Sequence, residues 1–335
     1  MNARDLQGLV DYSAWATRRA LAAARTVPAA AFTKELGGGF TSLRDVLVHA
    51  YGVDGLWLGR CGTGARRYPD HAAFGDAESL AAAWQPLQQS WAHAARSWSD
   101  GQVAAAHDYT STEGDAHRST LREIVLHCVN HACYHRGQAM TRVRRLGGRP
   151  VETGYAAFCW TLTPRASGVR VRELAELLDY SAWATMRAWI AVHGSGPECW
   201  TAQVPGSFAC LRDLLHHLAF ADWVWLRRVL GSAPQLPAAR DVAGSTLVGI
   251  VHDLAARWRA FVAALDESQV DRQVRYRTLA GASASSSLRE IVQHLVTHAS
   301  YHRGQVSQLL GELGAKAAPT DLIDYFRERS REGRV

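Results

Sequence analysis

The chain repeats itself, and that repetition limits what it can fold into more than any other property. Asp11-Tyr12-Ser13-Ala14-Trp15-Ala16-Thr17 recurs unchanged 168 residues later as Asp179-Tyr180-Ser181-Ala182-Trp183-Ala184-Thr185. Residues 121–139 and 288–306, laid side by side without gaps, agree at 14 of 19 positions. Between Trp57, which matches Trp225, and Trp91, which matches Trp258, the offset falls from 168 to 167, so a loop has lost one residue. The 335 residues are therefore a duplicated domain, and each copy has an ordinary domain length.

Within a copy the apolar residues recur at helical spacing. Leu6, Leu9, Val10 and Trp15 predict a helix over 3–25, Leu43, Val46, Leu47 and Leu58 one over 42–59, and Leu80, Trp84, Leu87, Trp91 and Trp98 one over 76–98. The longest pattern covers 119–146. It opens with Thr120 and Glu123 in the arrangement of a capping box and closes on Leu146-Gly147-Gly148 with Pro150 beyond. Ser287, Glu290 and Leu313-Gly314 repeat these signals. Segments 100–117 and 267–285 lack helical period and carry Gly, Ser, Thr and Asp, so they read as irregular crossings with room for a short extended piece. Residues 149–169, with Pro150, Gly154, Pro164 and Gly168, read as the connection between copies. The expected fold class is all-α: two tandem four-helix bundles, over 1–150 and 170–335, joined by a linker over 151–169.

Composition removes several classes of function. Hydrophobic residues make up 47% and charged residues 20%, as in a globular protein with ordinary cores. No window approaches 18 uncharged apolar residues and the first residues lack the apolar stretch of an export signal, so neither a membrane span nor a signal peptide is expected. The net charge of +6 is concentrated in short runs, Arg142, Arg144, Arg145, Arg149 and Arg327, Arg329, Arg331, Arg334, where helices end and cations complement the helix dipole. No nucleic-acid partner is expected on that basis. Six cysteines with no CxxC pair read as reduced thiols of a cytoplasmic protein.

The chemistry lies in histidines. His127, His131 and His135 recur every four residues, and His294, His298 and His302 repeat the register. Residues four apart share a helix face, so His131 with His135, and His298 with His302, can grip one ion. His49 and its counterpart His217, each in an otherwise apolar stripe of the second helix, bring the set to three imidazoles from two facing helices. Neutral imidazole suits divalent zinc, nickel or iron, and without an anionic ligand the ion keeps its full charge as a Lewis acid.

The run His127-x-x-x-His131-x-x-Tyr134-His135-Arg136-Gly137-Gln138 and its repeat His294-x-x-x-His298-x-x-Tyr301-His302-Arg303-Gly304-Gln305 resemble the signature of the DinB family. Leu43, His49, Asp54 and Trp57, with His217, Asp222 and Trp225, resemble that family's second helix, so the likeness covers nearly the whole chain twice. The resemblance implies a three-histidine metal site in a four-helix bundle, with His49, His131, His135 and His217, His298, His302 as ligands. In the wider superfamily some members are thiol S-transferases using bacillithiol, mycothiol or glutathione, and one branch isomerises maleylpyruvate. The expected activity is thus a metal-dependent transfer of a low-molecular-weight thiol to a small electrophile. The alternatives are a metal-stabilised scaffold without turnover and a hydrolase using metal-activated water. Family members pair as homodimers, so two fused copies imply a pseudo-dimer within one chain, compatible with a monomer.

Other residues carry weaker expectations. Asp54 and Asp222 are candidates to orient a histidine or act as a base, beside a plain structural hydrogen bond. Tyr134 and Tyr301 are candidates to reach a substrate, and Arg136 and Arg303 to clamp either a carboxylate or a neighbouring helix. His127 and His294 read as support behind the ligands or core, His216 as solvent-facing or interfacial, Cys128 as a core position because its counterpart is Leu295, and Cys133 as facing away. Trp15, Trp57 and Trp91 with their counterparts read as core anchors, with lining of the site as the alternative for Trp57, which is on the metal-bearing helix.

Overall fold

The computed structural model describes residues 1–331 apart from 64–66, 164–165, 232–236 and 239–242. Pro164 and Arg334, named above, lie outside the described residues. The chain divides into one unit of 1–153 with 321–335 and a second of 154–320.

In the first unit the helical periods become α1 (Ala3–Ala24), α2 (Leu43–Leu58), α3 (Ala77–Ser97) and α5 (Leu121–Arg145), with a one-turn α4 (Asp100–Ala104) between the last two. α1 packs on α3 and α5, and α2 packs on the same two, which closes a four-helix bundle. Its interior is the apolar stripe read from the sequence: Leu6, Leu43, Val46, Leu58, Leu80 and Ile124 are wholly buried. The segment before α5 contains a hairpin, β1 (Ala106–Thr110) against β2 (Ala116–Thr120), in antiparallel register from Ala106 opposite Thr120 to Thr110 opposite Ala116. β2 runs directly into α5, because Thr120 is also the helix N-cap. Its hydroxyl accepts the Glu123 amide at 3.2 Å, and the Glu123 carboxylate accepts the Thr120 amide at 2.8 Å. Gly147 closes α5 at φ +79°, a conformation only glycine adopts without strain.

The second unit repeats this plan. α6 (Tyr155–Cys159) is followed by α7 (Val171–Gly194), a one-turn α8 (Pro197–Thr201), α9 (Leu211–Leu230), α10 (Gly244–Ala263), the hairpin β3 (Gln273–Arg277) with β4 (Ser283–Ser287), and α11 (Leu288–Glu312). α7 and α9 each pack on α10 and α11. Among the described residues no helix is long and apolar enough to cross a membrane.

Two short helices are distributed in a way that sequence patterning does not reveal. α6 lies inside the segment read as a linker, yet it packs on α11 and belongs to the second unit. α12 (Leu322–Arg331) follows the second bundle in sequence, yet it packs on α5 and belongs to the first. Each helix thus follows one bundle along the chain and completes the core of the other.

One expected core position differs. Trp57, Trp91, Trp225 and Trp258 are buried, whereas Trp15 and Trp183 are only half-buried. The Arg19 and Arg187 guanidinium groups lie over these two rings at 5.0 and 4.8 Å. A cation covers the exposed face, so the ring needs no second layer of helix.

Candidate metal centre

α5 places His131 and His135 one turn apart on the face it turns to α2, and α2 supplies His49. The candidate ligand atoms of the three all lie within 4.8 Å of one another, and those of His217 on α9 with His298 and His302 on α11 do the same. The Nε2 atoms of His131 and His135 are 3.1 Å apart, those of His298 and His302 also 3.1 Å, and those of His217 and His298 3.3 Å. A tetrahedral ion with bonds of about 2.1 Å needs nitrogens about 3.4 Å apart, so the spacing suits one shared cation.

The protonation pattern agrees with that geometry. Nδ1–H of His135 donates to the Gln138 side-chain oxygen at 2.8 Å, and His302 does the same with Gln305 at 2.6 Å. With the proton on Nδ1, Nε2 presents a bare lone pair to its neighbour. That lone pair accepts from the neighbouring Nε2–H when the pair is metal-free and is free to bind a cation once the neighbour loses that proton, which is the chemistry of a ligand set. Among the described residues no further His, Cys, Asp or Glu joins either group, so three protein ligands leave the coordination sphere open.

The rim of each site is aromatic. The Phe40 ring centroid lies 4.7 Å from that of His49 and 5.6 Å from that of His135, and Phe208 stands at 5.0 and 5.7 Å from His217 and His302. Tyr134 and Tyr301 meet His135 and His302 edge-on at 5.2 Å. The Phe40 loop is held from behind by buried Arg142, which donates to the Gly37 and Phe40 carbonyls. Its counterpart is Leu309, so the second loop lacks this tie.

The remaining candidates stand elsewhere in the bundle. The Asp54 carboxylate accepts Trp84 Nε1 at 3.0 Å and borders a small, partly open pocket of about 30 Å³, with Ser13, Thr17, Gln88 and Cys128 on its walls. Among the described residues Asp222 has no such donor, since Val251 replaces Trp84. Burial raises both carboxyls to about 7. Arg136 and Arg303 are buried and tie α5 to α1 and α11 to α7: Arg136 donates to the Tyr12 hydroxyl at 3.2 Å and to Cys133 Sγ at 2.9 Å, and Arg303 to Tyr180 at 3.1 Å and Ser300 at 2.8 Å. Tyr12 and Tyr180 in turn donate to the carbonyls of Thr153 and Thr320 at 3.0 Å, which explains why the duplicated Tyr and Arg recur together. His127 and His294 are packed edge-on against Trp57 and Trp225. His216 is half-buried and bonds to the Pro237 carbonyl at 2.7 Å. Cys128 is buried, like Leu295.

Two groups at the site had no part in the sequence reading. Phe40 and Phe208 stand 168 residues apart, so the repeat itself carried their signal. Tyr68, whose hydroxyl lies 2.8 Å from His49 Nδ1, has no duplicated partner and gave none.

Burial is the main cause that holds the histidines below their ordinary values; neighbouring imidazoles add to it at the six triad positions, and the Arg327 and Arg60 guanidiniums at His127 and that of Arg228 at His294 do the same. His49 and His294 fall to about 4, His127 and His302 to about 3, and His131, His135, His217 and His298 are also lowered. The unfolded chain therefore takes up protons first as pH falls below about 6.5, and each of these groups withdraws stability between there and its folded value. Asp54 and Asp222 act in the opposite sense, since their folded forms hold a proton up to about 7. Eight groups outweigh two. The urea midpoint of metal-free protein should fall steadily from pH 7.5 to pH 5, and a midpoint that stays flat or rises would contradict this burial pattern.

The DinB family profile matches residues 1–166 and, a second time, residues 169–332. Protein DinB of Bacillus subtilis (strain 168) is similar to this chain at 21% identity over 160 residues, covering 45% of the chain and 92% of the relative. No solved structure matches it.

Proposed function

The chain belongs to the DinB family and carries that family's domain twice; on this premise we propose that it is a metal-dependent transferase joining a low-molecular-weight thiol to a small electrophile. One observation carries the reading: in each unit three neutral imidazoles and, among the described residues, no carboxylate or thiolate converge from two helices on one point. Divalent zinc, nickel or iron supplies Lewis acidity in such a set, enough to make a thiol or a water acidic near neutral pH.

The chain's own residues do the rest. His49, His131 and His135, and in the second unit His217, His298 and His302, bind. Gln138 and Gln305 keep one ligand of each set in the tautomer that leaves Nε2 bare. Phe40 and Tyr134, with Phe208 and Tyr301, wall the mouth with rings, so a small apolar electrophile meets a surface that excludes water. His49 and His217 are only half-buried and mark the side from which a substrate enters. Six cysteines, none of them in a disulfide, suit the reducing compartment in which such thiols circulate.

The test is conjugation of chlorodinitrobenzene or bromobimane by metal-loaded protein with each of several thiols. The reading expects turnover that needs both the thiol and an intact triad. Bound metal without turnover on any thiol would make the protein a metal-stabilised scaffold, and ester cleavage without thiol would make it a hydrolase.

A further inference from the structure

We propose that Tyr68, His71 and Asp45 form a positioning relay behind His49, present in the first unit alone, that makes the first triad the tighter of the two for a divalent cation. The inference rests on the reading that both triads hold such an ion.

The relay is a chain of three hydrogen bonds. His49 Nδ1 lies 2.8 Å from the Tyr68 hydroxyl, that hydroxyl lies 3.4 Å from His71 Nε2, and His71 Nδ1 lies 3.1 Å from Asp45 Oδ1. One direction of donation satisfies every member. His71 Nδ1–H donates to the carboxylate, the Tyr68 O–H donates to His71 Nε2, and His49 Nδ1–H donates to the Tyr68 oxygen. The outcome is a bare Nε2 on His49, the atom a cation needs. The far end is anchored, because Asp45 sits in the first turn of α2 and also accepts from Thr41 at 2.9 Å and Arg44 at 3.1 Å. A carboxylate acting through a neutral chain on a ligand's second nitrogen fixes the ring and raises its basicity.

Among the described residues the fold makes room for this arrangement in the first unit only. Gly52 follows His49 by three residues on α2, and a Cβ there would stand 2.7 Å from the Tyr68 ring and from Pro69. The absent side chain is the seat of the tyrosine. The counterpart of Gly52 is Phe220, which puts a ring, stacked on Trp223, where the first unit has none, and residues 231–243 contain neither Tyr nor His. His216 does not substitute, since its ring is turned to the Pro237 carbonyl. Among the described residues nothing accepts from His217 Nδ1. The ligands on α5 and α11, by contrast, have matching glutamine partners, so the two sites differ at the His49 and His217 corner.

The experiment measures Zn²⁺ affinity, by chelator competition, of two full-length chains: one retaining only the first triad (His298→Ala with His302→Ala) and one retaining only the second (His131→Ala with His135→Ala). The first-triad chain should bind about 10- to 100-fold more tightly. In it, Tyr68→Phe, His71→Ala and Gly52→Phe should each remove most of that advantage. His71→Gln should restore it, because a glutamine amide can accept from Tyr68 and donate to Asp45, a rescue that a merely structural histidine would not show. Tyr68→Phe keeps the ring and is the variant safest for folding. Unchanged affinity in Tyr68→Phe and His71→Ala, or equal affinity of the two unmodified triads, overturns the relay while leaving the metal reading intact. Failure of both single-triad chains to bind Zn²⁺ overturns the metal reading, and the relay with it.

Discussion

Ending the chain at Thr320 should unfold the first bundle and spare the second, although the removed residues directly follow the second in sequence. α12 buries Leu322, Ile323, Tyr325 and Phe326 in the first unit, where it packs on α5, and Arg327 adds a bond to the Tyr109 hydroxyl at 3.2 Å. At about 1.5–3 kcal/mol for each fully buried apolar side chain, the four contribute roughly 6–12 kcal/mol as an upper bound. That is comparable with the whole stability of an ordinary domain, about 5–15 kcal/mol. Thr320, whose carbonyl serves Tyr180, remains in the shortened chain, so the second unit keeps its own closing contact. Hydrogen exchange resolved by peptide should show α1 and α5 losing protection while α7 and α11 retain theirs. Protection lost from α7 and α11 instead would mean that α12 serves the bundle it follows.

The second large effect concerns the ligands. In a chain whose second triad has been removed, His135→Ala should abolish tight metal binding at the first. Two nitrogens on different helices remain, and a chelate of three loses far more than a third of its affinity when one ligand goes. The helix itself should persist, since alanine is the best helix former and His135 makes no backbone contact that α5 requires. Far-ultraviolet circular dichroism should therefore be unchanged while the metal content falls to background. Metal retained at full occupancy would place the ion elsewhere and remove the premise of the transferase reading.

What the sequence made legible, and what it hid, follows from where physical periodicity exists. The helices announced themselves because Leu, Val and Trp repeat at 3.6 residues, and Thr120 with Glu123 and Ser287 with Glu290 marked the starts of α5 and α11 to within two residues. The histidines were legible for the same reason: an i, i+4 pair shares a face, and duplication singled out His49 and His217 from the other histidines. Phe40 and Phe208 were passed over because they end loops rich in Gly, Ser and Pro where no period directs attention, even though the repeat pairs them. Tyr68 and His71 were invisible in a stronger sense. They lie in a stretch without helical period and have no copy, so only the three-dimensional route of the loop brings them to His49. The destinations of α6 and α12 were equally hidden, because helices of five and ten residues do not record which bundle they cover. Trp15 misled as a core residue because its ring is large and apolar, and only the structure shows Arg19 covering it.

The central claim is that three imidazoles per unit converge on one cation and leave it open positions. X-ray absorption at the metal edge of loaded protein tests it most directly. The account predicts two ions per chain, each with three imidazole nitrogens at about 2.0–2.1 Å and the remaining coordination from water or added thiol. A first shell with sulfur in the absence of thiol, or fewer than three imidazoles per ion, would contradict it.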